Sequence, residues 1–299
     1  LISLAKKYFI RSVSVIEGRG SEVIDFLNRI STNELRTLKP GQTTGTIFLN
    51  EKGRILGFVK IINDFDKITM TVEKGQEHGL LAHLEKYIFS DDVKFSIPED
   101  EYSEIIVFFN EMDEYVEFRN AIIKDYKEIR NLHYYTDSYY GNTFNIFIKT
   151  SDTEEIQKFL KEYKHTEGEI PDYYRIINKI PIYPNEINDT VNPLECGLEK
   201  YVSPDKGCYT GQEVIARIES RNKLPKSLRV FKSLADPGEK SPINFEINGK
   251  ETEAGATSSV TEYENEFFCL GFIRTIHFSD ENEYYVIKNK EKIKLILIN

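Results

Sequence analysis

Lys206 to Arg217 reads KGCYTGQEVIAR and runs on into Ile218, Glu219, Ser220 and Arg221. Thr210 and Glu213 have the spacing of a capping box, in which the hydroxyl accepts from the Glu213 amide and the carboxylate accepts from the Thr210 amide. The spacing predicts a helix that begins here. Val214, Ile215 and Ile218 form a short apolar stripe, while Glu213, Arg217 and Arg221 step by four along another face, so the arginines are expected to be accessible. Cys208 precedes the cap by two residues, toward the positive end of the helix, and Lys206 adds a full charge nearby; both favour a thiolate. Gly207 and Gly211 leave no side chain on either side of the thiol, which would let another molecule approach the backbone. The pattern suits a reactive or ligand-contacting cysteine. Its plain alternative is a small buried hydrophobe, the commonest fate of an unpaired cysteine.

Working outward, the chain before this motif shows one pattern of elements twice. A strand is expected over Tyr8 to Ile16, a helix capped by Ser21 and burying Val23, Ile24, Leu27 and Ile30, then strands over Thr43 to Leu49, Ile55 to Ile62 and Ile68 to Val72. Asn50 to Arg54 (NEKGR) reads as the hairpin turn between two of them. A helix over His78 to Ile88 and a strand over Val93 to Ile97 close the first set. The second set has strands over Glu104 to Phe109, His133 to Thr136 and Thr143 to Ile148, a helix over Tyr115 to Arg130, and a helix through Tyr163 opened by a Ser151/Glu154 capping box. Pro171 starts a short helix, and residues 181–204 read as ordered irregular chain able to line a site. After Pro225 six short β-rich runs follow, separated by turns such as Asn248-Gly249 and Asn289-Lys290. The fold class expected is α+β: two modules resembling split βαβ units over residues 1–98 and 99–225, then a small β-barrel over 226–299.

Composition narrows the partners. The 299 residues carry a net charge of −10, which argues against nucleic acid or an anionic membrane surface. No apolar run approaches the roughly 18 residues that span a bilayer, and no signal peptide is evident, so a cytoplasmic protein is expected. The three cysteines Cys196, Cys208 and Cys269 are widely spaced and form no CxxC pair, which suits a reducing compartment and argues against a one-chain cluster or zinc site. The five histidines show no ligand spacing, and no glycines fall in a phosphate-loop pattern.

KGCYTGQE resembles the signature of the folate-binding YgfZ/GcvT family, in particular its YgfZ-like branch, which serves assembly or repair of iron-sulfur clusters. Further stretches are similar to that family in the same order: Gly20 to Leu35, LNEKGRIL (Leu49 to Leu56), NPLECGL (Asn192 to Leu198), GATSS (Gly255 to Ser259) and LGFIR (Leu270 to Arg274). The resemblance implies a folate-binding core of two α+β modules with a C-terminal barrel, around a channel that receives tetrahydrofolate or a derivative. It implies Glu195 for the pterin, because the residue sits in NPLECGL; a solvated loop carboxylate is the alternative. Folate also needs aromatic surface and cations for its glutamate tail, for which Tyr209, Arg217 and Arg221, then Arg54 and Arg175, are the candidates. Asn33, in STNEL, falls where the family places residues near the folate, although a turn residue needs no ligand. Cys208, supported by Lys206, is the residue expected to act; Cys196 and Cys269 are expected to be structural. The aminomethyltransferase branch, the T-protein of the glycine cleavage system, carries an acidic pair in its GGxxDD-like hairpin. Here those positions are Gly57 and Phe58. The expectation is therefore an accessory factor with iron-sulfur client or assembly proteins as partners, and a folate-dependent aminomethyl or other one-carbon transferase is the rival.

Overall fold

The computed structural model describes residues 4, 6–109, 111–125, 133–135, 139–166, 170–221 and 223–298. By its internal contacts the chain divides into two compact units, Leu1–Phe48 with Gly57–Ile170, and Leu49–Leu56 with Pro171–Asn299.

The first unit is built on β1 (Lys7–Arg19), α1 (Val23–Ile30), β2 (Thr43–Leu49), β3 (Ile55–Asn63), β4 (Ile68–Val72), α2 (Glu77–Glu85), β5 (Lys94–Ser96), β6 (Tyr102–Phe108), α3 (Met112–Asp125), β7 (His133–Tyr135), β8 (Thr143–Lys149), α4 (Thr153–Phe159) and β9 (Lys164–His165). Its strands form one sheet in the order β2-β3-β4-β1-β6-β8-β7, with β5 and β9 also paired to β1. The length of β1 explains how two repeated sets share a sheet. Its first half pairs antiparallel with β6, from Tyr8↔Val107 to Val13↔Tyr102, and its second half with β4, from Ser14↔Val72 to Gly18↔Ile68. A core of Ile105, Val107, Phe118, Ile122, Phe144, Ile146 and Ile156 fills the space between β6, β8, α3 and α4.

At Ser21 and Ser151 the expected caps do not form. Ser21 does not cap α1; its amide and hydroxyl both donate to Asp92, and the helix begins after Glu22. Ser151 does not form a box with Glu154. Its hydroxyl donates to Asp152, a 3₁₀ turn occupies Thr150–Asp152, and α4 ends at Phe159 instead of Tyr163. In both places an aspartate takes the hydroxyl that the sequence offers to the helix. Of the helix expected to Arg130 and the strand expected to Thr136, residues 126–130 and 136 lie outside the described residues.

The second unit holds α5 (Asp172–Ile177), α6 (Gln212–Arg221) and six strands: β10 (Lys226–Ser233), β11 (Pro242–Ile247), β12 (Lys250–Tyr263), β13 (Glu266–Arg274), β14 (Tyr284–Lys288) and β15 (Glu291–Ile298). These close into a barrel in the order β10-β13-β12-β11-β14-β15. Phe231, Ile243, Phe245, Cys269, Ile273, Tyr284, Val286 and Leu295 fill its interior. Asn248 and Gly249 both have positive φ, 53° and 72°, the backbone a two-residue hairpin turn requires. The fold is thus mixed α and β, a multistranded sheet followed by a closed six-stranded barrel.

Candidate functional site

Glu195 sits at the end of a tight 3₁₀ turn, Pro193–Cys196, that the sequence builds locally. Asn192 caps it: its side chain accepts from the Glu195 amide at 3.0 Å, and Glu195 Oε2 accepts from the Asn192 amide at 3.0 Å. Pro193 at the first position needs no amide partner, and Gly197 at φ 80° ends the turn. The side chain is 1% exposed. Arg54 Nη1 donates to the same Oε2 at 2.9 Å, and Lys226 Nζ lies 3.8 Å from it. Oε1, equally buried, has no hydrogen-bond partner among the described residues. One oxygen is saturated and the other bare, an asymmetry costly in an interior unless something donates to it. Burial pulls the Lys226 ammonium below its ordinary range, Glu195 opposes that shift and Arg54 adds to it. Next door, burial, together with Glu195 and Glu186, pushes the Cys196 thiol far up. Cys269 is held at about 12, again chiefly by burial. Both are inert core thiols.

Cys208, by contrast, is exposed. Lys206, 7% exposed, places its ammonium 5.2 Å from the centre of the Tyr209 ring. Tyr209 is itself buried, and burial, with Glu219 nearby, lifts its phenol to about 12. Helix α6 starts at Gln212 and buries Ile215, leaving Arg217 and Arg221 exposed as their spacing indicated. The two glycines flanking Cys208 serve different ends. A side chain on Gly207 would meet nothing within 4 Å. A Cβ on Gly211, at φ +80°, would lie 2.6 Å from the Asn50 carbonyl oxygen and 3.0 Å from Gly53 Cα. Gly211 therefore does not open the thiol to another molecule; it lets the Asn50–Arg54 hairpin pack against the turn before α6. Gly211→Ala should cost about 2–3 kcal/mol through left-handed strain and the clash with backbone. Chemical denaturation checks this, and a midpoint equal to wild type would remove the packing argument.

Other candidates fall elsewhere. Arg175 is not a surface cation: it is 5% exposed, its Nε donates to Asp172 at 2.7 Å and its Nη1 to Glu186 at 3.4 Å. Glu186, missed in the sequence, is fully buried and accepts from Ser258 Oγ at 2.5 Å, Ser259 Oγ at 2.7 Å and the Ile182 amide at 3.1 Å. The serines of GATSS thus fasten the irregular 181–191 segment to β12. In the first unit Asn33 is a turn fastener, donating to the Gly45 carbonyl at 2.8 Å and accepting from the Glu34 amide at 2.9 Å. Phe58, at the second position where the T-protein hairpin is acidic, packs its ring 5.1 Å from that of Tyr139. A cavity of ≈ 550 Å³ lies beside Val191, Lys226, Ala256, Thr257 and Phe272. Lys226, which links it to Glu195, is a second residue that sequence reasoning missed. Among the described residues no group of His, Cys, Asp and Glu is placed to hold a metal ion, and no helix is long and apolar enough to cross a membrane.

The fold has a solved counterpart. It matches the crystal structure of glycine cleavage system aminomethyltransferase T from Bartonella henselae with a TM-score of 0.78 at 14% identity, over 99% of this chain and 86% of that one. Related sequences carry similar names. The aminomethyltransferase of Leptospira biflexa is 24% identical over 302 residues, and that of Symbiobacterium thermophilum 22% over 309, each alignment spanning 93% of this chain and 80% of the relative. A putative chloroplastic transferase of Arabidopsis thaliana is 25% identical over 279 residues, 85% of this chain and 62% of its own length. No protein-family model matches the chain. The fold and these relatives support the resemblance to GcvT/YgfZ-like folate-binding proteins.

Proposed function

We propose that the protein binds tetrahydrofolate or a derivative at Glu195 and acts through Cys208 as a cytoplasmic accessory factor in assembly or repair of iron-sulfur clusters in client enzymes. The observation that carries the folate reading is the bare Oε1 of Glu195. A buried carboxylate oxygen with no donor fits the N–H edge of a pterin, while Arg54 and Lys226 engage the other oxygen at 2.9 and 3.8 Å. Arg217 and Arg221, exposed on α6, are the cations offered to a glutamate tail. Cys208 is the one cysteine of the three that solvent reaches, so it is the thiol able to meet a partner's cluster or sulfur cargo.

Cys208→Ser should leave tetrahydrofolate affinity unchanged and abolish support of cluster enzymes. Titration of the purified variant and assays of cluster-dependent activities in cells that rely on it measure the two effects separately. Fully active cluster enzymes with Ser at position 208 would sink the proposal. A second reading, folate-dependent aminomethyl transfer, is favoured by the aminomethyltransferase relatives that span 93% of the chain. Against it stand Gly57 and Phe58 at the acidic positions of the T-protein hairpin. Formation of methylenetetrahydrofolate from an aminomethylated carrier by the purified protein would establish the second reading.

A further inference from the structure

The Asn50–Arg54 hairpin touches both ends of the proposed site. At its base, Arg54 donates to Glu195 Oε2 at 2.9 Å, and the amide of the next residue, Ile55, donates to the Val191 carbonyl at 2.9 Å. At its tip, Gly53 lies against Gly211 and Val214, so close that a Cβ on Gly53 would come within 3.0 Å of Val214 Cβ. Gly211 is three residues from Cys208. The hairpin is also stiff. The Asn50 amide donates to the Arg54 carbonyl and the Gly53 amide to the Asn50 carbonyl, each at 2.9 Å. Asn50 Oδ1 accepts from the Lys52 and Arg54 amides at 2.9 and 3.0 Å. Such cross-bonding, with the glycine contact at one end and the ion pair at the other, gives a displacement at one end a route to the other.

We infer that this hairpin is a mechanical link through which occupancy of Glu195 sets the reactivity of Cys208. The inference rests on the folate reading. A donor arriving at the bare Oε1 redistributes the carboxylate's bonds, and Arg54, which shares that carboxylate, moves with it. The tip then shifts against Gly211 and changes the turn that presents the thiol. Asn50 is the positioning residue, since it stiffens the hairpin and belongs to neither the carboxylate nor the thiol.

Alkylation by iodoacetamide, followed at the Cys208 peptide of the full chain by mass spectrometry, reads the link; the other two thiols are buried. Saturating 5-formyltetrahydrofolate should change the wild-type rate by about fivefold or more, the low end of ordinary coupling between sites. In Asn50→Ala, and to a smaller extent in Val214→Ala, folate should still bind by calorimetry while the change in rate shrinks toward none. An equal change in rate in wild type and Asn50→Ala means that the ligand simply covers the thiol, and overturns the link. Binding without any change in wild-type labelling overturns the link and leaves the folate reading standing. Absence of binding by calorimetry overturns the folate reading, and the link with it.

Discussion

Glu104→Ala is expected to destabilise the protein by about 3–5 kcal/mol, the cost of removing one partner from a buried ion pair. Glu104 lies on β6, 2% exposed, and accepts from Arg11 at 2.6 and 2.7 Å and from Lys60 at 3.2 Å. Lys60, on β3, is 5% exposed, and Arg11, on β1, also reaches Glu73 at 2.6 Å. Three strands of the sheet therefore meet at one carboxylate. Burial alone would raise its pKa, but the charges and hydrogen bonds of Arg11 and Lys60 outweigh burial and hold it at about 2. A carboxyl held below its unfolded value stabilises the fold fully above that value. The stabilisation is lost as pH falls from about 4.5 toward about 2, and amounts to about 3 kcal/mol. Denaturant midpoints of wild type and Glu104→Gln should therefore lie far apart at pH 7, draw together by roughly half at pH 3, and converge only below about pH 2. A gap of the same size at every pH would show that the carboxylate's charge is not what matters.

How much of this was legible in the sequence depended on whether the signal was local. β4 was read to the residue, Ile68 to Val72, because a short β-branched run is bounded by turn residues. The barrel strands and the Asn248-Gly249 turn were legible for the same reason. β12 was not: only Lys250 to Glu253 read as strand, whereas it continues to Tyr263 through Ala254-Gly255-Ala256-Thr257-Ser258-Ser259. Those small residues have weak strand preference and are held by β11 and β13 on either side, with a shift of register between Thr257 and Val260. The double duty of β1 was hidden likewise, since pairing with β6 and β4 is a property of the sheet and not of residues 7–19. At the site, Glu195 and Cys208 came from motifs. Arg54 was named for a ligand's tail, yet its partner is Glu195, 141 residues away in sequence. Glu186 gave no signal, because an acidic residue in an irregular stretch reads as solvated until the fold places two serines and an arginine around it.

Glu195→Gln is expected to weaken tetrahydrofolate binding by about 10- to 100-fold, the worth of a hydrogen bond to a charged acceptor. The substitution is chosen to separate ligand from fold. Glutamine is as long as glutamate and equally suited to the third position of a capping box, so the Asn192 turn should persist. What it loses is charge. Arg54 and Lys226 would then face a neutral amide, and a pterin donor at Oε1 would meet at best a neutral acceptor. The loss should depend on the ligand's own donors. A folate analogue lacking the pterin amino group should bind wild type more weakly than tetrahydrofolate does, yet bind Glu195→Gln about as well as tetrahydrofolate binds that variant. Such non-additivity marks a direct contact, because a remote effect of the substitution would weaken both ligands equally. Calorimetric titration of the two ligands against the two proteins supplies the four affinities. If wild type and Glu195→Gln bind tetrahydrofolate equally, the bare oxygen is not the pterin's partner and the folate reading loses its anchor.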